Sequence, residues 1–127
     1  SVAFGRANVV KKGSKATIIA IGPMLELAMR ALGDEDVTVL YYTTVAPFDT
    51  AALQSNFVND RLLLMEPAYQ GGIMPQVLKA LHDKKIKADF VGYPHEFITN
   101  HGYVAENAPM YGMTAETVRK KYKELIQ

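Results

Sequence analysis

The sequence predicts an α/β protein in which helices cover both faces of a five-stranded, mostly parallel sheet. Short apolar segments rich in β-branched residues alternate along the chain with segments of helical periodicity. The apolar segments are continuous rather than alternating, which is typical of strands buried on both faces. A length of 127 residues is enough for one domain with a real core. We therefore expect a single domain, residues 1–127, with three α/β/α layers joined by right-handed crossovers.

The first half of the chain contains three predicted strands and two predicted helices. The strands cover residues 8–11, 17–21 and 37–42, and the helices cover 24–32 and about 51–58. Gly13 lies in the turn between the first two strands, and Gly33 is expected to end the first helix. Asp49 or Thr50 is predicted to cap the second helix, and for Asp49 capping is favoured over catalysis.

The second half begins with the strongest strand-and-helix unit of the sequence. Strands are predicted over 62–65 and 87–92, and helices over 73–81 and after Thr114, the expected N-cap of the last helix. Glu66, Pro67 and the pair Gly71-Gly72 are predicted to stop the first of these strands. The last helix has one apolar stripe, which consists of Val118, Tyr122, Leu125 and Ile126.

Composition excludes several classes of function. The formal net charge is +1 and no basic block stands out, so nucleic-acid binding is not expected. The absence of cysteine excludes disulfides and thiolate chemistry, and the three histidines lack the spacing of a metal site. No apolar run approaches the roughly 20 residues of a membrane span, so we expect a cytoplasmic protein without membrane association. The chain lacks an initiator methionine, and we expect it to be part of a longer polypeptide.

The candidate binding site lies where the carboxyl ends of the predicted strands should meet. In an open parallel sheet, ligands bind beyond those ends, because loops and helix N-termini converge there. Glu66 and the pair Gly71-Gly72 follow the fourth strand, and His95 and His101 follow the fifth. These residues form a possible rim for an anion or a substrate. No catalytic residue is predicted, because the chain has no serine in a nucleophile elbow, no paired carboxylates and no GxGxxG fingerprint.

Five segments stand out when they are taken in their order along the chain. They are FGRANVVKKGSKATIIAIG, TTVAPFDTAAL, RLLLMEPAYQGGIMPQVLKAL, EFITNHG and YGMTAETVRKKYKEL. In that order they resemble the C-terminal domain of the transketolase family, which comprises transketolase, deoxyxylulose phosphate synthase and the beta subunit of the first component of 2-oxoacid dehydrogenases. The resemblance covers essentially the whole chain. Two departures are Pro67, where the family has a second acidic residue, and Ile73-Met74-Pro75, where it has a glycine-rich helix start.

The resemblance implies a five-stranded sheet whose first strand is antiparallel to the rest. It also implies that thiamine diphosphate, its Mg²⁺ ion and the catalytic residues belong to two other domains of the parent enzyme. In this family the C-terminal domain supports dimer assembly and flanks the substrate entrance. The chain has neither a GDG-type diphosphate motif nor the cofactor-activating glutamate of a pyrimidine-binding domain. By this resemblance it holds no cofactor and no catalytic residue, and it should be inactive alone.

Three hypotheses of function follow. The first, which we favour, is an assembly and docking domain of a thiamine-diphosphate-dependent enzyme whose partners are the other domains or subunits, as a homodimer in the full enzyme. The second is a free-standing module that takes a small anion at the Gly71-Gly72 helix start, near Glu66 and His101. The third, a complete small enzyme of flavodoxin-like build, is disfavoured because the phosphate-binding loop after the first parallel strand is missing.

Overall fold

The structure, a computed structural model, describes residues 6–43, 48–69, 73–93 and 114–127. Within these ranges the chain forms strands and helices in the predicted order. The strands are β1 (Ala7–Lys11), β2 (Thr17–Ile21), β3 (Thr38–Tyr42), β4 (Arg61–Tyr69) and β5 (Lys87–Tyr93), and the helices are α1 (Met24–Leu32), α2 (Thr50–Asn56), α3 (Met74–Ala80) and α4 (Ala115–Leu125).

The strands form one sheet of 5 strands in the order β1-β3-β2-β4-β5. β1 runs antiparallel to β3, whereas β3, β2, β4 and β5 are parallel to one another. Each parallel connection passes through a helix, as parallel pairing requires. This arrangement confirms the predicted fold class, including the antiparallel first strand that the family resemblance implied.

Helices cover both faces of the sheet and create two separate cores. Leu63 and Met65 of β4 belong to the core under α1 and α4, and Leu62 and Leu64 belong to the core under α2 and α3. All four side chains are fully buried, which explains why this strand is a continuous apolar run. On the first face, α4 at the C-terminal end of the chain packs directly against α1. The three-layer α/β/α prediction is therefore confirmed.

One predicted boundary is wrong, because β4 does not stop at Met65. The strand continues through Glu66 and Pro67 to Tyr69, although Pro67 has no N–H to donate. The ladder between β4 and β2 ends at the pair Ala20 and Met65, and the register between β4 and β5 shifts between Met65 and Tyr69. Pro67 therefore lies where the ladder is irregular and no regular bond is required of its nitrogen.

The start of α2 is fixed by the predicted cap, and its end comes earlier than predicted. Oδ1 of Asp49 accepts a hydrogen bond from the amide of Ala52 at 3.1 Å, which confirms the capping role. Oδ2 of the same carboxylate accepts from the amide of Ala7 in β1 at 2.8 Å. The helix ends at Asn56, because Phe57 is extended with φ −68° and ψ 127°. Asp49 thus ties α2 to the edge strand of the sheet.

The turn after β1 is fixed to the start of β3 by a buried threonine. Thr38 accepts a hydrogen bond from the amide of Gly13 at 3.1 Å and donates its hydroxyl to the Gly13 carbonyl at 2.9 Å. A Cβ on Gly13 would lie 2.6 Å from the carbonyl carbon of Val37 and closer still to the Val37 nitrogen. Gly13 is not among the positive-φ residues of the described chain. Glycine is therefore required here because two backbone segments touch.

The C-terminal end of α1 is satisfied by a lysine from β1. Gly33 follows the helix as predicted and donates its amide to the carbonyl of Met29 at 2.8 Å, but its φ of −61° is right-handed. Nζ of Lys11 donates to the carbonyls of Gly33 at 2.8 Å and Glu35 at 2.6 Å. A cation at this position also complements the negative end of the helix dipole.

Asp36, in the loop before β3, contributes to the stability of the turn after β1 in a pH-dependent way. Hydrogen bonds from the hydroxyl and the amide of Ser14 hold the pKa of Asp36 below its ordinary value of 3.8, and the charges of Lys15 and Lys11 act in the same direction. A lowered pKa means that folding favours the ionised form. The stabilisation is therefore complete above the unfolded pKa and is lost as the pH falls through the folded pKa.

We expect Asp36→Asn to lower the melting temperature at about pH 6 and to lower it less at about pH 3, because the native carboxyl loses its own charge as the pH falls through its folded pKa. Asparagine has the size of aspartate and cannot ionise, so the change of this difference with pH reports the contribution of the charge. Thermal unfolding followed by circular dichroism would measure it. An equal decrease at both pH values would show that ionisation of Asp36 does not stabilise the fold.

Polar contacts also seat α4 on β5. Nζ of Lys87 donates to the carbonyl of Glu124 in the last turn of the helix at 3.3 Å and to that of Gln127 just after it at 3.4 Å. Lys121 lies 3.5 Å from Asp89, an ion pair that is partly exposed and therefore weak. The N-terminal end of the helix has its predicted cap, because Oγ1 of Thr114 accepts a hydrogen bond from the amide of Thr117 at 3.1 Å.

Candidate functional site

The adjacent ends of β2 and β4 form a topological switch point. β2 is followed by α1 and β4 is followed by α3, and these helices cover opposite faces of the sheet. The chain therefore leaves two neighbouring parallel strands in opposite directions. Open α/β sheets bind ligands at such a point. This is the place at which the sequence analysis expected the rim.

Gly22 forms one side of the switch point and has a left-handed backbone. It follows β2 with a φ of 57°, and its amide donates to the carbonyl of Tyr42 at 3.0 Å. A Cβ added to Gly22 would meet no atom within 4 Å among the described residues. Backbone conformation, and not crowding, is therefore the reason for glycine at this position.

Glu66 forms the other side of the switch point and is almost completely buried. Its exposed fraction is 4%, and it is the only buried carboxyl group in the ranges that the structure describes. The residue before it, Met65, pairs with Ala20 of β2 and Val91 of β5, so Glu66 is flanked by the ends of both strands. An ionised carboxylate is expensive to bury. Glu66 lies within β4, three residues before the strand ends at Tyr69.

The other predicted site residues, Gly71, Gly72, His95 and His101, lie outside the described residues. The elements that precede them along the chain are neighbours, because β4 pairs in parallel with β5. The helix that follows the glycine pair, α3, is 7 residues long, and Ile73 at its start makes no side-chain cap. The rim as a whole stays a prediction, and so does the anion-binding alternative.

The sequence analysis did not single out an aromatic pair at the end of β3. The rings of Tyr42 and Phe48 stack with their centroids 4.8 Å apart and their planes 7° apart. The buried hydroxyl of Tyr42 donates to the carbonyl of Asp49 at 2.8 Å. Burial, and then the charge of Asp49, raise the pKa of Tyr42, so the phenol stays neutral and acts as a donor. The sequence signal for this contact is a tyrosine at the end of a buried strand, followed shortly by Phe48-Asp49.

Metal and membrane sites were also searched for in the described ranges. No three His, Asp or Glu side chains of those ranges come together in a way that could hold a metal ion. None of the helices that the structure describes is long and apolar enough to cross a bilayer.

Comparisons with known proteins give a consistent family. The family model described as "Transketolase, C-terminal domain" matches residues 5–118. The 1-deoxy-D-xylulose-5-phosphate synthase of Thermus thermophilus is 30% identical over 122 residues, which are 94% of this chain and 20% of the relative. The same enzyme of Pseudoalteromonas translucida is 30% identical over 128 residues, which are 97% of this chain and 20% of the relative. The chain thus spans 20% of the length of these synthases.

One further relative is an uncharacterized 33.6 kDa protein in the fasciation locus of Rhodococcoides fascians, which is 33% identical over 95 residues, or 71% of this chain and 27% of the relative. A solved structure described as "Split gene transketolase, inactive beta4 tetramer" has a TM-score of 0.77 and 23% identity, with 98% of this chain and 43% of that chain covered. At this identity the likeness supports the fold alone. The family match over residues 5–118 confirms the resemblance inferred from the sequence: the chain belongs to the transketolase family, as a C-terminal domain of that family.

Proposed function

We propose that this chain is the C-terminal assembly and docking domain of a thiamine-diphosphate-dependent enzyme that transfers ketol or 2-oxoacid-derived carbon units. The observation that carries the proposal is the family match over residues 5–118 in a chain that spans only 20% of the synthases it resembles. The chemistry then belongs to the rest of a longer polypeptide or to partner subunits. Residues 1–127 form one domain of that cytoplasmic enzyme, which is a homodimer.

The polar contacts of the domain support a structural role for it, with the chemistry in other domains or subunits. Partly or fully buried hydroxyl and carboxylate groups hold the fold together: Thr38 fixes the turn at Gly13, and Asp49 joins α2 to β1. Thr17, which is fully buried, accepts a hydrogen bond from the amide of Val58 at 2.9 Å. His82, the one histidine in the described ranges, is exposed and follows α3. None of these groups is arranged as a nucleophile and its base, so a domain of this kind serves as a scaffold.

The description of the structural neighbour agrees with this proposal. It is described as an inactive tetramer of the beta chain of a split-gene transketolase, and this chain matches 43% of it. By analogy, we propose that the present domain is also inactive when it is separated from the cofactor-binding domains. Glu66, Gly71, Gly72, His95 and His101 would then border the substrate entrance of the assembled enzyme.

Calorimetric titration of thiamine diphosphate with Mg²⁺ tests the proposal. We expect no binding heat with the isolated chain, because the groups that hold the diphosphate and the metal belong to other domains. The positive control is the complete gene product, which should bind the cofactor tightly. Tight, metal-dependent binding by the 127-residue chain would contradict the proposal. A parallel titration with inorganic phosphate, followed by amide chemical shifts at Gly71 to Met74, tests the alternative of an anion-binding module.

A further inference from the structure

We propose that one face of the domain, made by β1 and α2, is the docking surface for the domain that precedes residue 6 in the same polypeptide. This inference rests on the proposed function, and it names the part of the surface on which assembly depends. The surface, here called the β1–α2 face, consists of Arg6, Val9, Ala51, Ala52 and Ser55. Shape, exposed apolar area, charge and chain direction each support the assignment.

The first observation is a hollow between β1 and α2. Its volume is about 380 Å³, and it is lined by Arg6, Ala7, Asp49, Ala51, Ala52, Ser55 and Asn56. The helix presents mainly small side chains to the hollow, so a partner can approach its backbone closely. A hollow of this size accepts one or two protruding side chains from a neighbouring protein surface.

The second observation is exposed apolar surface beside the hollow. Val9 is 42% exposed and Val10 is 39% exposed, and among the described residues the only other exposed large hydrophobic side chain is Leu78. Val9 pairs with Leu40, which belongs to the core on the α2 side, so Val9 faces the same side of the sheet as the hollow. The hollow and Val9 therefore form one continuous face.

The structure of β1 favours packing onto this face over addition of a further strand. The register of β1 shifts between Val9 and Lys11, so Val10 lies in a bulge, and Lys11 and Lys12 follow it. Bulges and lysines are the features by which edge strands resist pairing with another strand. The partner should therefore cover the side chains of β1 and α2, and not extend the sheet.

The charge of Arg6 favours a partner that places a carboxylate opposite this face. Arg6 is exposed and makes no ion pair with any residue that the structure describes. The nearby carboxylate of Asp49 is already used by the amides of Ala7 and Ala52. A surface with a carboxylate opposite Arg6 is complementary.

The direction of the chain selects the preceding domain as that partner. β1 begins at Ala7, so any chain before Arg6 enters the domain at the edge of the hollow. The synthases that match this chain are longer, because the chain covers only 20% of them. A domain joined to Arg6 has a high effective concentration at the β1–α2 face, because Arg6 itself lines the hollow.

Hydrogen exchange in the complete gene product tests the assignment. We expect the amides of residues 8–12 and 50–56 to exchange at least about tenfold more slowly than in the 127-residue chain, because the preceding domain covers them. Ser55→Arg should remove this protection, since it fills the hollow with bulk and adds charge beside Arg6. Ser55 is exposed near the end of α2, so the variant should fold normally. Gln76→Arg, at an exposed position of α3, is the matched control and should keep the protection.

The outcomes separate this assignment from the proposed function. Protection that is lost in Ser55→Arg and kept in Gln76→Arg supports the surface. Equal exchange in the long and short polypeptides, or equal loss in both variants, overturns it. If the preceding domain binds thiamine diphosphate but leaves β1 and α2 unprotected, only the surface assignment fails. If the gene product has no preceding domain, the surface and the proposed function fail together.

Discussion

Replacing Gly13 by alanine is expected to lower the free energy of unfolding by about 3 kcal/mol. The added Cβ would lie 2.6 Å from the carbonyl carbon of Val37, with the Val37 nitrogen and the Asp36 carbonyl carbon closer still. These are backbone atoms, so no side-chain rotation relieves the overlap. The turn must move away from β3, and this also breaks the two hydrogen bonds between Gly13 and Thr38. Chemical denaturation of the purified domain would measure the loss.

Gly22→Ala is the matched control, because it adds the same methyl group at a glycine that has a positive φ and no close neighbour among the described residues. Its Cβ meets no described atom within 4 Å, and only the positive φ of 57° opposes the change. The expected loss is therefore about 1 kcal/mol. If the two variants were equally stable, close approach of the β1 turn to β3 would not be the reason for glycine at position 13.

Replacing Asp49 by alanine should also destabilise the fold by about 3 kcal/mol, although the residue lies outside both cores. The substitution removes the cap of α2 and leaves the amide of Ala7 without its charged acceptor. Asp49→Asn is the control, because its single amide oxygen can replace only one of the two carboxylate contacts. We expect it to lose about half as much.

Equilibrium unfolding in urea would compare the two Asp49 variants. The carbonyl of Asp49, which accepts from Tyr42, is present in both variants, so the tyrosine contact acts as an internal constant. A loss below about 1 kcal/mol for Asp49→Ala would mean that the residue only caps a helix and does not join α2 to β1.

The fold could be predicted from the sequence because its strands are buried on both faces. Leu62 to Met65 alternate between the two cores, so the sequence itself shows no polar face and only a parallel sheet covered on both sides accommodates it. The continuation of β4 through Pro67 could not be predicted in this way. It depends on where β2 ends and where the β5 register shifts, and both are properties of neighbouring strands that are distant in sequence.

Of the predicted rim, only Glu66 lies among the described residues, and its burial was not predicted. The carboxyl end of β4 follows from the order of elements alone, so Glu66 could be placed at the rim. The burial of Glu66 could not be predicted, because β2 and β5, which flank it in the sheet, come from segments on either side of it in the chain. The hydroxyl of Thr38 was missed for a related reason. A threonine in a strand rich in β-branched residues is explained by strand propensity alone, so the sequence does not show that its hydroxyl bonds to a distant turn.

The contact between the first and last helices sets an order for folding during synthesis. Among the described residues, those of the core on the α2 and α3 side all lie at or before Phe90, so this core can close while the chain is still being extended. The core on the other side includes Val118, Tyr122 and Leu125 of α4. A ribosome must therefore release nearly the whole domain before that face of the sheet is covered, and until then its apolar side chains are available to chaperones or to other nascent chains.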